Sequence, residues 1–332
     1  MSNYFVGMRL IGMDICKNRY GIREGLFEKI YSVPKWNSPD YIAILRDICL
    51  REKIDLAVVI PELEVLFWSE SIDFVPALLP PPKFGRIALS KSALFDTLAD
   101  TGLIVPYRIY TRAEVIEGKA DEFKVRPYWL RDCGPGTTSA KGALKVVDPS
   151  EARAWALLQK EVTMFMASEY LPGRNLACYM LFFNDELLKF VCAERIRYFA
   201  DHLILSGISG NTCEGRLIND ESVRTIAEKC VRLVSQKTGE ASHGLLIVDL
   251  MENSYGIPMV TEINLRHVAF TSAFAAGGVN MAEAQLLATM GLIDRIDRSE
   301  VRFPMGNLFL RDIDGLPLWV ENWQDPQLGC AL

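Results

Sequence analysis

What this 332-residue chain has little of narrows the field first. It carries only three histidines, His202, His243 and His267, far apart and in no H-x-x-x-H pattern, which argues against a zinc site. Its eight cysteines, at 16, 49, 133, 178, 192, 213, 230 and 330, form no C-x-x-C pair and sit mostly in apolar runs, as reduced, buried thiols of a cytosolic protein do. Positive charge is not in excess: 36 Lys and Arg against 42 Asp and Glu leave a net charge of −6, so no broad basic footprint for nucleic acid is expected. No apolar run approaches the ~18–20 residues of a membrane span, and the N-terminal segment lacks the pattern of a secretory signal. The expectation is a cytoplasmic chain with neither a membrane nor a nucleic-acid partner. G-x-G-x-x-G, G-x-x-x-x-G-K-[ST] and G-x-S-x-G are all missing. A dinucleotide-binding turn, a Walker loop and a nucleophile elbow are therefore not expected.

What is there is globular: 50% of residues are hydrophobic and 23% charged, enough chain for two or three domains. Residues 9–15, 30–33 and 55–61 read as buried strands. A helix follows Ser38-Pro39-Asp40, which supply an N-cap, a first-turn proline and early negative charge; its apolar face is Tyr41, Ile44, Leu45, Ile48 and Cys49. Strand and helix alternation of this kind implies a small parallel α/β domain. Pro80-Pro81-Pro82 breaks the pattern, and a boundary is expected near 85–90. Beyond it, helices are expected at 90–102, 149–160, after Asn219 and at 281–290. Strands are expected on either side of a loop in 129–147 and at 164–170, 176–183, 187–195 and 203–206, with a short hairpin in the tail, 301–332. This second part reads as α+β, a largely antiparallel sheet carrying helices.

The most informative stretch is a hairpin signature. Residues 245–250 and 258–264 are apolar strands, and Glu252 to Gly256 between them have turn chemistry. Closed there, the hairpin sets Asp249 roughly opposite Glu262, with Glu262, Asn264 and Arg266 on one face by alternation. Two carboxylates facing across an antiparallel pair destabilise it. A bound Mg²⁺ with oxygen ligands from both and from the Asn would remove that cost; strand-end carboxylates in water, one paired to Arg266, would avoid it as well. Asp249 interrupts a run that otherwise looks buried, and buried charge needs a partner. A second stretch, residues 132–142, is a polar loop with Gly134, Gly136 and Gly142, flanked in charge by Arg131 and Lys141. Its N–H groups suit phosphate oxygens, and it equally suits a plain turn. Glu169-Tyr170-Leu171-Pro172-Gly173 joins two strands as a hinge would, and Lys91 opens a helix.

In this order the pieces resemble the ATP-grasp superfamily, and within it the carbamoyl-phosphate-synthase-like carboxylate–amine ligases, over nearly the whole chain. The segment Glu262-x-Asn264-x-Arg266 is the most specific; the phrasing "Ile-Asp-Leu-Ala-Val-Val-Ile-Pro-Glu-Leu-Glu" at 54–64 adds to it. The resemblance implies an N-terminal α/β domain (1–88) and two α+β subdomains clasping the nucleotide, 89–165 with a glycine-rich lid and 166–296 with the metal site, then a C-terminal extension (297–332). It implies ATP and Mg²⁺ or Mn²⁺ as cofactors, and Asp249, Glu262 and Asn264 as metal ligands. Lys91, Arg131, Ser139, Lys141, Gly142, Glu169, Tyr170, Leu171 and Asn175 then fall at nucleotide contacts. Arg266 falls at the transferring phosphate or a substrate carboxylate. Arg195 and Arg197, sharing a face as i and i+2, would bind a substrate carboxylate, or form a solvated basic edge.

The implied activity is a two-step ligation. A carboxylate is activated as an acyl phosphate and joined to an amine, both small molecules. The alternative from another class is a non-catalytic or regulatory ATP-grasp-like nucleotide-binding protein. Three departures bear on this. Met1 falls at about the helix that normally follows the family's first strand, so that strand is expected to lie upstream or the domain to be incomplete. Arg131 replaces the usual lysine, keeping charge but not geometry. Asn175 replaces a glutamate that reads ribose hydroxyls in many members; an amide still hydrogen-bonds them. The apolar N-terminal domain would suit a homodimer.

Overall fold

The computed structural model describes residues 7–16, 26–134, 143–199, 201, 211–268, 270–311 and 329. The chain divides into two units, one of residues 1–58, 70–77 and 313–332, the other of residues 59–69 and 78–312.

The first unit holds β1 (Ile11–Asp14) and β2 (Lys29–Ser32), paired in parallel, and α1 (Tyr41–Glu52). Helix α1 buries Tyr41, Leu45 and Ile48, the face its spacing predicts, and Ile48 joins Tyr31 and Val33 in a small core. Two local expectations are corrected. Helix α1 starts after Asp40, whose side chain makes no cap bond. The strand expected at 55–61 is a lone parallel bridge between Ala57 and Ala77. Val58 is 40% and Ile60 47% exposed, and Val59 alone of residues 55–61 is buried.

The second unit holds α2 (Glu62–Ser71) up to Ser69, then α3 (Pro82–Ala88) and α4 (Lys91–Thr97). Ser90 caps α4 by accepting from the Ala93 N–H at 3.2 Å. The helix stops at Thr97, short of the expected 102, because Asp100 and Gly102 take left-handed backbone with φ of 60° and 74°. There follow β3 (Tyr107–Thr111), α5 (Arg112–Ile116), β4 (Tyr128–Asp132), β5 (Leu144–Val146), α6 (Pro149–Leu158) and β6 (Met164–Glu169). Capping boxes at Thr111/Glu114 and Asp148/Glu151 start the two helices. The strands make a 4-stranded sheet in the order β3-β6-β4-β5, and Tyr128, Leu130, Val146 and Phe165 fill its core with Val115 of α5.

A second sheet is built from β7 (Asn175–Phe183), β8 (Glu186–Tyr198), β9 (Thr212–Ile218), β10 (Gly244–Glu252) and β11 (Pro258–Asn264). Between β9 and β10 runs α7 (Glu221–Thr238), capped by Asp220 and ended by left-handed Gly239, with Val223, Ala227, Cys230, Val231 and Val234 buried. Helices α8 (Thr271–Ala276) and α9 (Met281–Thr289) precede β12 (Phe309–Leu310). The sheet has 6 strands, ordered β11-β10-β7-β8-β9-β12 and antiparallel throughout. The described part of the expected tail hairpin is β12, which pairs with β9 instead. The strand expected at 203–206 and the loop at 135–142, with Ser139, Lys141 and Gly142, lie outside the described residues. Among the described residues no helix is long and apolar enough to cross a membrane.

Candidate nucleotide and metal site

The hairpin β10–β11 closes as its sequence predicts. Asp249 faces Glu262 directly across the antiparallel pair, and Ile247 faces Asn264. The register then slips: Leu250 pairs with Val260, leaving Thr261 as the extra residue of a bulge. Thr261 Oγ1 donates to the Asp249 carbonyl at 3.1 Å, bracing it. Bulges bend a strand and re-aim side chains, and this one sits beside the acidic pair.

Basic residues converge on that pair from three other elements. Lys91, first residue of α4 and 8% exposed, places Nζ 3.8 Å from Glu262 Oε2. Arg195 of β8 donates from Nη2 to Asp249 Oδ1 at 2.6 Å and from Nη1 to Asn175 Oδ1 at 3.0 Å. Asn175 in turn donates to Tyr198 Oη at 2.9 Å, and Asn264 Nδ2 donates to Asp249 Oδ2 at 3.1 Å. Arg131 of β4 stands over the Phe95 ring at 5.5 Å; its Nε is buried without a hydrogen-bond partner among the described residues. Burial pushes the Asp249 carboxyl up to about 6; Arg195 pulls it down and Glu262 adds to the rise. Burial lowers the Arg131 pKa, while Glu262 favours its charged form.

One cleft gathers these groups. It encloses about 850 Å³, open solvent at its mouth included, and its lining takes in Lys91, Arg131, Asn175, Arg195, Asp249 and Glu262 at one end. Phe95, Val105, Trp129, Met251 and Val260 make apolar walls, and Glu169, Tyr170 and Leu171 form an edge. The edge is fixed by backbone bonds from the Glu169 N–H to Pro106 and from the Gly173 N–H to Glu252. Tyr170 lies tilted on Trp129 with ring centroids 5.8 Å apart, and Lys145 Nζ stands 4.1 Å from its centroid. Leu171 packs with Val105 and Met259.

No family model matches the sequence, and no curated protein matches it either. Solved structures match by shape. The L-amino acid ligase from Bacillus licheniformis has a TM-score of 0.62 at 12% identity, over 88% of this chain and 72% of that one. A D-alanine–D-alanine ligase from Bacillus anthracis has a TM-score of 0.57 at 14% identity, over 86% of this chain and 97% of its own. An N5-carboxyaminoimidazole ribonucleotide synthetase, solved as its ADP complex, has a TM-score of 0.56 at 17% identity, over 79% and 65%. All three are ATP-grasp ligases.

The chain has the ATP-grasp fold.

Set on that fold, two expectations about site residues need correction. Arg195 and Arg197 do not share a face, because the β8–β9 register is irregular on both sides of Arg197. Arg197 is 61% exposed, pairs with Glu214 at 3.5 Å and is not part of the cleft lining. Arg266 does not continue the face of Glu262 and Asn264, since β11 ends at Asn264. It turns instead to Glu62, the first residue of α2, with Nε 3.5 Å from Oε1. Glu62 went unnoticed as a chemical group in the sequence. So did Phe95, Trp129, Met251 and Tyr198. Spacing holds part of the signal: Phe95 lies one helical turn after Lys91, and Met251 lies two strand residues after Asp249.

Oxygen ligands suit a hard divalent cation, and Asp249, Glu262 and Asn264 offer two carboxylates and an amide. Among the described residues no three His, Cys, Asp or Glu cluster into a metal-binding group. By the chemistry of their oxygen donors, Asp249, Glu262 and Asn264 would suit Mg²⁺ or Mn²⁺, which take few protein ligands and complete their shells with water and phosphate.

Proposed function

We propose that this chain is an ATP-dependent ligase that activates a small carboxylic acid as an acyl phosphate and joins it to an amine. The observation that carries the reading is the convergence of Lys91, Arg131 and Arg195 on the Asp249/Glu262 pair, at one end of an apolar-walled cleft edged by Glu169–Leu171. The apolar walls suit a flat base and exclude water. The edge supplies backbone groups to read the base. Lys91 and Arg131 would bind phosphate oxygens, the first as a point charge and the second as a fork.

The carboxylate oxygen attacks the γ-phosphorus, the bond to the bridging oxygen breaks, and ADP leaves. The amine nitrogen then bonds to the acyl carbon, loses a proton, and phosphate leaves. Little covalent chemistry falls to the protein, which supplies alignment and charge. Asp249, Glu262 and Asn264 would hold Mg²⁺, or Mn²⁺, whose charge when bound neutralises phosphate oxygens.

The test has two stages. Calorimetry of ATP with and without Mg²⁺ should show cation-dependent binding; none would remove the nucleotide reading. A screen of small acids and amines for stimulated phosphate release should then find a productive pair. Cation-dependent ATP binding with no acid that raises phosphate release would leave a nucleotide-binding protein in place of a ligase.

A further inference from the structure

Glu252, the last residue of β10, holds the hinge by its main chain and its side chain at once. The Gly173 N–H donates to the Glu252 carbonyl at 3.0 Å, and the Glu252 N–H donates to the Arg174 carbonyl at 3.0 Å. The carboxylate then returns to the same place. Oε2 accepts from the Arg174 N–H at 3.1 Å, and both oxygens accept from Arg174 Nε at 3.0 Å. The Glu252 side chain is 8% exposed. One residue thus fixes two consecutive hinge residues.

The grip is anchored on its far side. Arg174 Nη2 reaches Asp220 Oδ2 at 2.9 Å, while Asp220 Oδ1 caps α7 by accepting from the Ser222 N–H at 3.2 Å. The clamp therefore bears on the six-stranded sheet and on α7, not on the hinge alone. Met251 lines the cleft, whereas Glu252, next along the strand, points away from it by alternation and is not part of the lining. Any influence of Glu252 on a ligand must then pass through Tyr170 and Leu171, the hinge residues that do line the cleft. Holding the Arg174 guanidinium needs only charge. Holding the Arg174 N–H needs an oxygen at a set distance, and so the full length of a glutamate.

We propose that Glu252 is a positioning residue for the nucleotide: by clamping Gly173 and Arg174 it sets the cleft edge at Tyr170 and Leu171, and it acts through reach rather than charge. This rests on the ligase reading above. Two variants that keep a polar partner for Arg174 test it. Glu252→Asp keeps the charge but is one methylene short of the Arg174 N–H; Glu252→Gln keeps the reach and loses the charge. Hydrogen exchange at the amides of Tyr170, Leu171 and Gly173 should quicken in the aspartate variant and stay near wild type in the glutamine variant. By calorimetry, ATP affinity should fall roughly tenfold in the aspartate variant and stay within about threefold in the glutamine variant, because a displaced edge weakens alignment without removing a contact group. Inorganic triphosphate, which lacks a base, should bind all three proteins alike. With a productive acid and amine, the aspartate variant should raise KM for ATP and leave kcat unchanged. A merely structural role would lower the unfolding midpoint in step with lost charge and leave ATP affinity of the folded protein alone; that result would overturn the proposal. Equal losses for ATP and triphosphate, or a greater loss in the glutamine variant, would overturn it too. If wild type binds no ATP, the ligase reading falls, and hydrogen exchange at the edge decides by itself whether Glu252 holds it by reach.

Discussion

The Arg266 guanidinium lies 3.5 Å from the Glu62 carboxylate, and even so Glu62 has a pKa pushed up to about 7. Burial is the main cause: the Glu62 side chain is 5% exposed and its Oε1 has no hydrogen-bond donor among the described residues. Arg266 opposes the rise and Glu262 adds to it. A carboxyl whose folded pKa lies above its unfolded value favours the fold while protonated and loses that contribution as pH rises toward the folded pKa. Glu62→Gln should thus match wild type near pH 4 and become more stable than it by up to about 3 kcal/mol at pH 8. Denaturant unfolding across that range measures it, and a difference that does not change with pH would contradict the assignment.

Lys91 offers a cleaner test of the cleft. Its side chain is 8% exposed, so Lys91→Met keeps the buried stem and removes only the charge. A hydrogen bond between charged groups contributes about 1.5–3 kcal/mol, so ATP affinity should fall roughly 10- to 100-fold with little change in the unfolding midpoint. Calorimetry reads both numbers. Unaltered ATP affinity in a folded variant would place the phosphates elsewhere.

Gly173, at the end of the hinge, should tolerate no side chain. A Cβ there would lie 2.5 Å from Glu252 Cβ and 2.9 Å from the Glu252 carbonyl oxygen, while its N–H donates to that same carbonyl at 3.0 Å. Glu252 cannot yield, because Arg174 pins its carboxylate and Asp220 together. Gly173→Ala should cost about 1–3 kcal/mol by overpacking and weaken ATP binding by displacing Leu171. Gly256→Ala in the β10–β11 turn is the control: its φ is 74° with open space around it, so about 1 kcal/mol of backbone strain is expected and ATP binding should not move. Equal effects of the two on ATP affinity would detach the hinge from the nucleotide.

What sequence reasoning recovered here is mostly local. Apolar alternation and turn chemistry gave the Asp249/Glu262 register, and periodicity gave the buried face of α7, because each depends on residues a few positions apart. The losses come from irregularity and distance. Alternation assumes an unbroken ladder, so it cannot see Thr261 slip out of register or the irregular pairing around Arg197. Residues 55–61 are apolar enough for a strand, but whether a neighbour covers them depends on chain far away in sequence. The Glu62–Arg266 pair joins residues far apart in the second unit's sequence, and no spacing rule connects them.

Arg197 is where irregular register changes a functional expectation, and its consequence is measurable. On a regular strand it would stand beside Arg195 and share a substrate carboxylate. With the ladder broken it is 61% exposed and 3.5 Å from Glu214, an ordinary surface ion pair. Such pairs contribute about 0–1 kcal/mol, less in salt. Arg197→Ala should therefore shift unfolding by less than about 1 kcal/mol and leave ATP affinity and acid-stimulated phosphate release at wild-type values. Arg195→Ala should fail on both counts, since it strips a buried carboxylate of its partner, a loss of about 3–5 kcal/mol. The pair of variants separates the two arginines in one unfolding series and one phosphate assay. A tenfold fall in kcat/KM for Arg197→Ala would return that residue to the substrate site and require β8 to straighten when substrate binds.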